Sequence, residues 1–364
     1  MNRYISILVF AILSIVSITS VRGQQLISPS NENLLYMGRV DSSSNDVYYF
    51  DWSGVGISMI ITGTATLKVL MDTNTPTPST NNINMFTVLI NNAVYPPLNI
   101  TSTEMESYDL VSYGTLVPTE SYIITLIKRT EASLGVIGFY GFMVDQAAVI
   151  VLPPSFPRKL EFFGDSITCG YGIDALAPCP FTPQTENNFD TYEYIISRQL
   201  STQLHTACWS GKGLVRNYDS PNITSTNPMP IYLPRTLANN ASLEWDFANY
   251  VPDAVVINLG TNDYSTQPSP PENLFEQTYI NLIQTINNWY PNKPKIFLVC
   301  GPMISGAVCD YVESVSETVE SATYIDLQNI LDDSDYGCNG HPNQSGHAKM
   351  AEIAYPIIQK VMQW

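Results

Sequence analysis

A serine, a histidine and two sets of hydrogen-bond donors, each set beside glycine, are the residues of this sequence that could act together chemically. Ser166 stands in Phe163-Gly164-Asp165-Ser166-Ile167-Thr168-Cys169-Gly170-Tyr171-Gly172, directly after the apolar run Leu160 to Phe163. That run reads as a buried strand, and the glycines let the backbone turn sharply where the serine is presented. A serine hydroxyl attacks only when a base takes its proton and donors receive the charge that develops, so both must come from elsewhere in the chain. Three histidines are available. His347 falls within the final helix, just after Ser345-Gly346, which suits a structural role. His205 is expected to end a helix, where the helix dipole accounts for it. His341 stands in the loop Gly337-Cys338-Asn339-Gly340-His341-Pro342-Asn343, ahead of the last helix, and is the candidate base.

Two further stretches could supply donors. Gly260-Thr261-Asn262-Asp263 follows the apolar run Ala254 to Leu259. An asparagine amide there can donate to a developing oxyanion, and Gly260 lets the backbone come close; a helix cap or turn is the plainer use. Ser210-Gly211-Lys212-Gly213 follows the short strand-like run Ala207-Cys208-Trp209. Its backbone N–H groups can face a ligand, or form an ordinary loop.

The positioning elements follow from periodicity. From about Asn33 to Asp145 the pattern repeats every two residues, with Ala65, Leu67, Val69 and Met71 alternating with Thr64, Thr66 and Lys68. This is a strand with one face in a core. Phe86 to Ile90 stops at the turn signal Asn91-Asn92, and Tyr122 to Thr130 and Val136 to Val144 are rich in β-branched and aromatic residues. Many short strands without a long helix predict an all-β sandwich or jelly roll over residues 27–152. Pro153, Pro154 and Pro157 cannot continue a ladder and mark a linker. Over 156–364 strand-like runs at Leu160 to Phe163, Ala254 to Leu259, Ile296 to Val299 and Tyr324 to Asp326 alternate with helical stretches. In one of these Phe275, Tyr279, Leu282, Ile286 and Trp289 form a single stripe. This predicts an α/β domain whose parallel sheet is covered on both faces, with its site at the carboxyl ends of the strands, where Ser166 stands.

Composition narrows the setting. The formal charge of -17 opposes binding to a phosphate backbone or an anionic lipid surface, so nucleic acid and membrane are not expected partners. Only 13% of residues are charged, which suits a neutral, polar, extracellular surface. Arg3, the apolar run Ile5 to Ile18 and the small residues up to Gly23 read as a signal peptide, residues 1–23, cleaved to release a secreted protein. The run is shorter than the ~20 residues of a membrane span. The six cysteines, all within residues 156–364, allow fifteen pairings. Cys169 with Cys179 and Cys300 with Cys309 would close short loops, while Cys169 with Cys338 would fasten the nucleophile loop to the base loop. The spacings do not suggest zinc, and neither metal nor cofactor is expected. Sequons begin at Asn99, Asn222, Asn240 and Asn343; a glycan on the last would obstruct the proposed site, so it is expected to stay bare.

In this order and at these distances, the four blocks around Ser166, Gly211, Asn262 and His341 resemble the SGNH, or GDSL, esterase superfamily. Ile127-Lys128-Arg129-Thr130-Glu131-Ala132, together with Gly164 to Gly172, is similar to carbohydrate esterase family 2. That family joins an N-terminal jelly roll to a flavodoxin-like, three-layer SGNH domain and removes O-acetyl groups from polysaccharides such as xylan and glucomannan. The resemblance covers nearly the whole mature chain. It implies Ser166 as nucleophile, His341 as base, and an oxyanion hole made by the N–H of Ser166, the N–H of Gly211 and the amide of Asn262. An acetylated polysaccharide or oligosaccharide is the substrate it implies. Tyr171, Trp209 and Tyr264 adjoin the blocks and could meet a sugar ring, or simply pack in the core. The superfamily usually places an aspartate three residues before the histidine, and here that residue is Cys338. Some family 2 esterases are similar in lacking the acid and use a backbone carbonyl, which points to Asn339 or Gly340 as orienter, with Asp333 and Asp335 as fallbacks. Gly340 also stands where the family often has an aromatic residue. Two other functions fit the same sequence: a general secreted carboxylesterase or lipase acting on small or lipid esters, and a non-catalytic carbohydrate-binding protein.

Overall fold

The computed structural model describes residues 23–74, 83–112 and 114–364. The expected signal peptide, apart from Gly23, lies outside the described residues. Two antiparallel sheets form the N-terminal sandwich. One runs in the order Gln24–Ile27, Val136–Asp145, Leu67–Asn74, Glu106–Asp109, with Tyr48–Phe50 also paired to Val136–Asp145. The other runs Val149–Val151, Gly56–Thr62, Tyr122–Lys128, Asn84–Ile90, Ala93–Ile100, with Leu35–Met37 paired to Gly56–Thr62. The alternation read from sequence is observed from Leu67 onward, where Leu67, Val69 and Met71 are buried and Lys68 and Leu70 only partly so; just before the strand it reverses, Thr64 being buried and Ala65 only partly so. At the Asn91-Asn92 turn both residues have positive φ, 51° and 66°, as a tight two-residue hairpin requires.

The C-terminal domain is built on five parallel strands in the order Thr202–Cys208, Arg158–Gly164, Ala254–Asn258, Lys295–Cys300, Ala322–Asp326. The strand leading to Ser166 is therefore flanked on both sides by the strands leading to the other two donor blocks. Successive side chains enter opposite layers. Phe162, Val256 and Val299 pack under helices Tyr192–Leu200 and Gln344–Met362. Phe163, Ile257 and Leu298 pack under helices Glu272–Trp289 and Ala307–Thr318. One expectation is corrected. His205 does not end a helix; the helix stops at Leu200, Ser201 turns with φ 54°, and His205 is buried within the edge strand Thr202–Cys208, its ring stacked 3.4 Å from Tyr250. The polar residues Thr202, Gln203 and Thr206 hid this strand, because an edge strand need not be uniformly apolar.

The two domains are joined through buried polar groups. Arg39 of the sandwich pairs with Glu161 on the nucleophile strand at 2.9 Å, both at most 1% exposed. The Tyr290 hydroxyl also donates to Glu161, and Arg39 donates to the carbonyls of Leu233 and Arg235. Asp51 accepts the N–H groups of Ala238 and Asn239 at 2.9 Å each. Breaking a buried pair from one side leaves the other charge uncompensated. Glu161→Ala should therefore lower the unfolding free energy by roughly 3–5 kcal/mol in urea titrations; a loss below about 1 kcal/mol would show that Arg39 is satisfied by the carbonyls alone.

Candidate active site

Ser166 opens a four-residue helix, Ser166–Cys169, at the carboxyl end of the central strand. Asp165 caps it by accepting the Ile167 N–H at 3.0 Å, and Gly170, with φ 80°, closes it. The turn continues through Gly172, where glycine is needed twice over: φ is 72°, and a Cβ would come within 3.0 Å of the Cys338 backbone. The base loop thus lies directly on the nucleophile turn, and the Cys338 N–H donates to the Gly172 carbonyl at 3.1 Å. This contact brings His341 Nε2 to 2.8 Å from Ser166 Oγ, across 175 residues of sequence.

The imidazole is held in an unusual way. His341 Nδ1 is buried and has no hydrogen-bond partner among the described residues. Asp335 accepts from Lys349, Ser345 and the Asp332 N–H, and neither it nor Asp333 bonds the histidine. Packing surrounds the ring, and the Asn339 carbonyl, one of the two expected orienters, lies with that of Cys338 where it favours the protonated imidazole; the Gly340 carbonyl is not among the groups acting on it. The Tyr171 ring lies 4.4 Å from the imidazole and is stacked at 3.9 Å on Phe181, while Asn339 Nδ2 donates to the Tyr171 hydroxyl at 3.0 Å. Burial lowers the His341 pKa to about 4, although the Asn339 and Cys338 carbonyls act in the opposite sense. The ring is therefore neutral, and able to accept a proton, through the mildly acidic range.

The donor blocks converge on the same rim. Neither the Ser166 N–H nor the Gly211 N–H has a partner among the described residues. Gly211 has φ 78°, and a Cβ there would meet only the Tyr218 Cβ at an ordinary 3.9 Å, so its conformation, not crowding, calls for glycine. Asn262 is placed beside them, but its amide already donates to Asp165 Oδ2 at 3.0 Å and to the Lys212 carbonyl at 2.9 Å. In this state Asn262 grips the glycine turn, and an oxyanion would have to share its protons. Asp263, which the sequence reading did not single out, accepts the N–H groups of Leu214, Val215 and Arg216 at 2.8, 2.7 and 2.8 Å. Burial raises Asp263 to about 6 and Asp165 to about 7, in each case against hydrogen bonds that favour the charged form.

Of the aromatic residues beside the blocks, only Tyr171 touches the histidine. Trp209 packs 4.9 Å from Tyr232 and under Lys212, and Tyr264 donates to the Pro270 carbonyl with its ring edge-on to Phe275. The disulfides are Cys169–Cys208, Cys179–Cys338 and Cys300–Cys309. The short loop Cys300–Cys309 forms as one of the expected options, whereas Cys169–Cys179 and Cys169–Cys338 do not. Cys169 closes the nucleophile helix and turns towards the end of the neighbouring strand, and Cys338 instead holds the 174–182 loop that carries Phe181. Asn343 is 3% exposed and caps the last helix through Ser345 and Gly346, so its amide is committed to the fold.

Comparison with known proteins agrees with this architecture. Residues 36–154 match the family model described as carbohydrate esterase 2 N-terminal, and residues 160–354 match GDSL-like lipase/acylhydrolase. The cellulase/esterase CelE of Acetivibrio thermocellus is 32% identical over 345 residues; the match takes in 92% of this chain but only 40% of that protein's length. An acetylxylan esterase / glucomannan deacetylase of Cellvibrio japonicus is 24% identical over 93% of this chain and 91% of its own. The solved structure of a family two carbohydrate esterase from Clostridium thermocellum in complex with cellohexaose is 33% identical, with a TM-score of 0.81, over 91% of this chain and 99% of that one. With both domains matched and a third of the residues shared across a whole solved relative, the chain belongs to the family two carbohydrate esterases, which couple an N-terminal sandwich to a GDSL-type domain.

Proposed function

We propose that the protein is a secreted serine esterase that removes O-acetyl groups from polysaccharides of the xylan or glucomannan type. The observation that carries this reading is the 2.8 Å contact between Ser166 Oγ and His341 Nε2, set beside two backbone N–H groups left without partners. The names of the relatives, which include acetylxylan esterase and glucomannan deacetylase, support the substrate class. Residues 1–23 are read as the signal peptide, and the sequons at Asn99, Asn222 and Asn240, all exposed, suit the secretory route.

In the proposed reaction His341 takes the serine proton as Oγ bonds to the acetyl carbonyl carbon, and the oxygen's charge falls to the N–H groups of Ser166 and Gly211 and to the Asn262 amide. The C–O bond to the sugar breaks as His341 returns the proton to the departing hydroxyl. Water, deprotonated by the same histidine, then frees acetate and restores Ser166. No Asp or Glu carboxylate bonds the imidazole among the described residues, so we assign a Ser–His dyad. Tyr171 and Phe181, stacked beside the base, are the aromatic surface nearest the reacting atoms.

Acetate release from acetylated xylan and glucomannan should exceed hydrolysis of a long-chain ester, and Ser166→Ala should abolish both; a preference for the long-chain ester would favour the lipase-like alternative. Asn262→Ala should lower kcat by roughly a hundred- to a thousandfold. The acid limb of kcat/KM reports the base in the free enzyme. Because burial lowers His341, the neutral form survives as pH falls below 6.5, and the limb should lie near pH 4. A limb at pH 6 to 7 would mean that the imidazole is solvated like a free one.

A further inference from the structure

The run Lys128-Arg129-Thr130-Glu131-Ala132 leads out of the strand Tyr122–Lys128 towards Val136–Asp145 and has no part in the reaction as drawn, yet every residue of it is buried. Arg129 reaches across to Asp174 and to the Glu186 carbonyl, and its own carbonyl accepts the Asn188 N–H. Glu131 reaches further. Its Oε2 accepts the N–H of Ser210 at 2.6 Å, its Oε1 accepts the Ser133 hydroxyl at 2.6 Å, and its own N–H donates to Glu186 Oε2 at 3.1 Å. Ser210 immediately precedes Gly211. The carboxylate of the sandwich therefore fixes the peptide plane next to the one that presents the Gly211 N–H.

We propose that Glu131 is a positioning residue for the oxyanion hole, by which the N-terminal sandwich sets the Gly211 donor. The inference rests on the reading of Gly211 as a donor. The turn is held at other points by the Asn262 amide on the Lys212 carbonyl and by the Tyr218 N–H on the Gly211 carbonyl at 2.9 Å. On its entry side Glu131 acts beside the longer bond from the Trp209 N–H to the Gly164 carbonyl at 3.3 Å, and of these two grips it is the one that comes from the other domain. Its action is geometric: a negative charge near a developing oxyanion is unfavourable, so the hydrogen bond and not the charge is what serves catalysis. Burial and the Glu131 charge push Glu186 well above the usual carboxylate range, which lets the two acids sit side by side without two full charges. Glu131, Cys169 and Glu186 lie close enough to share an ion, but the Cys169 sulfur is bonded to Cys208, and two carboxylates already engaged with backbone N–H groups make a poor cation cage.

The test compares Glu131→Gln with Glu131→Asp. Glutamine keeps an acceptor at the right reach and removes the charge, whereas aspartate keeps the charge and falls one methylene short of Ser210. With 4-nitrophenyl acetate, Glu131→Asp should lower kcat roughly ten- to a hundredfold, the size of effect that a displacement of about 1 Å produces, with KM nearly unchanged. Glu131→Gln should remain within about threefold of the parent. Phenylboronic acid, whose boron bonds Ser166 Oγ and places a hydroxyl where the oxyanion forms, should lose affinity in the Asp variant by a similar factor. The reverse order, with Gln impaired and Asp intact, would overturn the proposal. So would equal activity and boronate affinity in both variants alongside a fall in thermal stability, which would mark a purely structural tie. Ser166→Ala, measured alongside, tests the esterase reading separately, since it is silent on Glu131.

Discussion

A hydrogen-bond donor meant for a reacting oxygen must be left without a partner in the folded protein, and the proposed oxyanion site at the centre of the molecule meets this constraint. The Gly211 N–H is free because the segment around it is tied down at other atoms. Glu131 takes the Ser210 N–H, Asn262 takes the Lys212 carbonyl, and Asp263 takes three successive N–H groups from Leu214 to Arg216. The Cys169–Cys208 bond joins the end of the neighbouring strand to the nucleophile helix, so the two free N–H groups are held relative to each other. Buried carboxylates suit this task, since each offers two oxygens that can accept several N–H groups at once, as Asp263 does. Their cost is desolvation, visible in the raised values of Asp165 and Asp263.

The same logic applies to the proposed base, a histidine with no acidic partner among the described residues. No carboxylate meets Nδ1 among the described residues, so the orientation of His341 depends on the Asn339 and Cys338 carbonyls and on the packing around the ring. Tyr171 and Phe181 form a stack against it, and the Gly172–Cys338 contact leaves the loop little freedom. An imidazole positioned by packing lacks the neighbouring negative charge that would stabilise its protonated form, and burial lowers its pKa further.

Much of this was legible in the sequence, and the limits are physical. The longer strands of both domains follow from period-two alternation and apolar runs, whereas short or exposed ones such as Tyr48–Phe50 and Ala93–Ile100 do not, and Ser166 and His341, chosen for their residue types beside glycine, meet at hydrogen-bonding distance. Local signals failed where the partner is remote. Nothing near Glu131 shows that its carboxylate ends on Ser210, nor does anything near Asp263 reveal three N–H groups some 50 residues earlier. The edge strand containing His205 was hidden by its polar residues. Disulfide pairing failed for the same reason: proximity in sequence found Cys300–Cys309, but the other two bonds depend on which loops the folded sheet brings together.

The Cys179–Cys338 bond spans 159 residues, the longest of the three covalent loops, and in the chain-entropy picture a closure of that length removes about 5 kcal/mol of freedom from the unfolded chain. It also sets an order of events. Domains form from the amino terminus as a chain is made, so the sandwich, the nucleophile turn and its bond to Cys208 can all be in place before Cys338 exists. The base loop is the last piece to be synthesised and then sewn in. The two halves of the proposed dyad are thus made far apart in the chain, and Cys179–Cys338 is the covalent tie that closes on the later one.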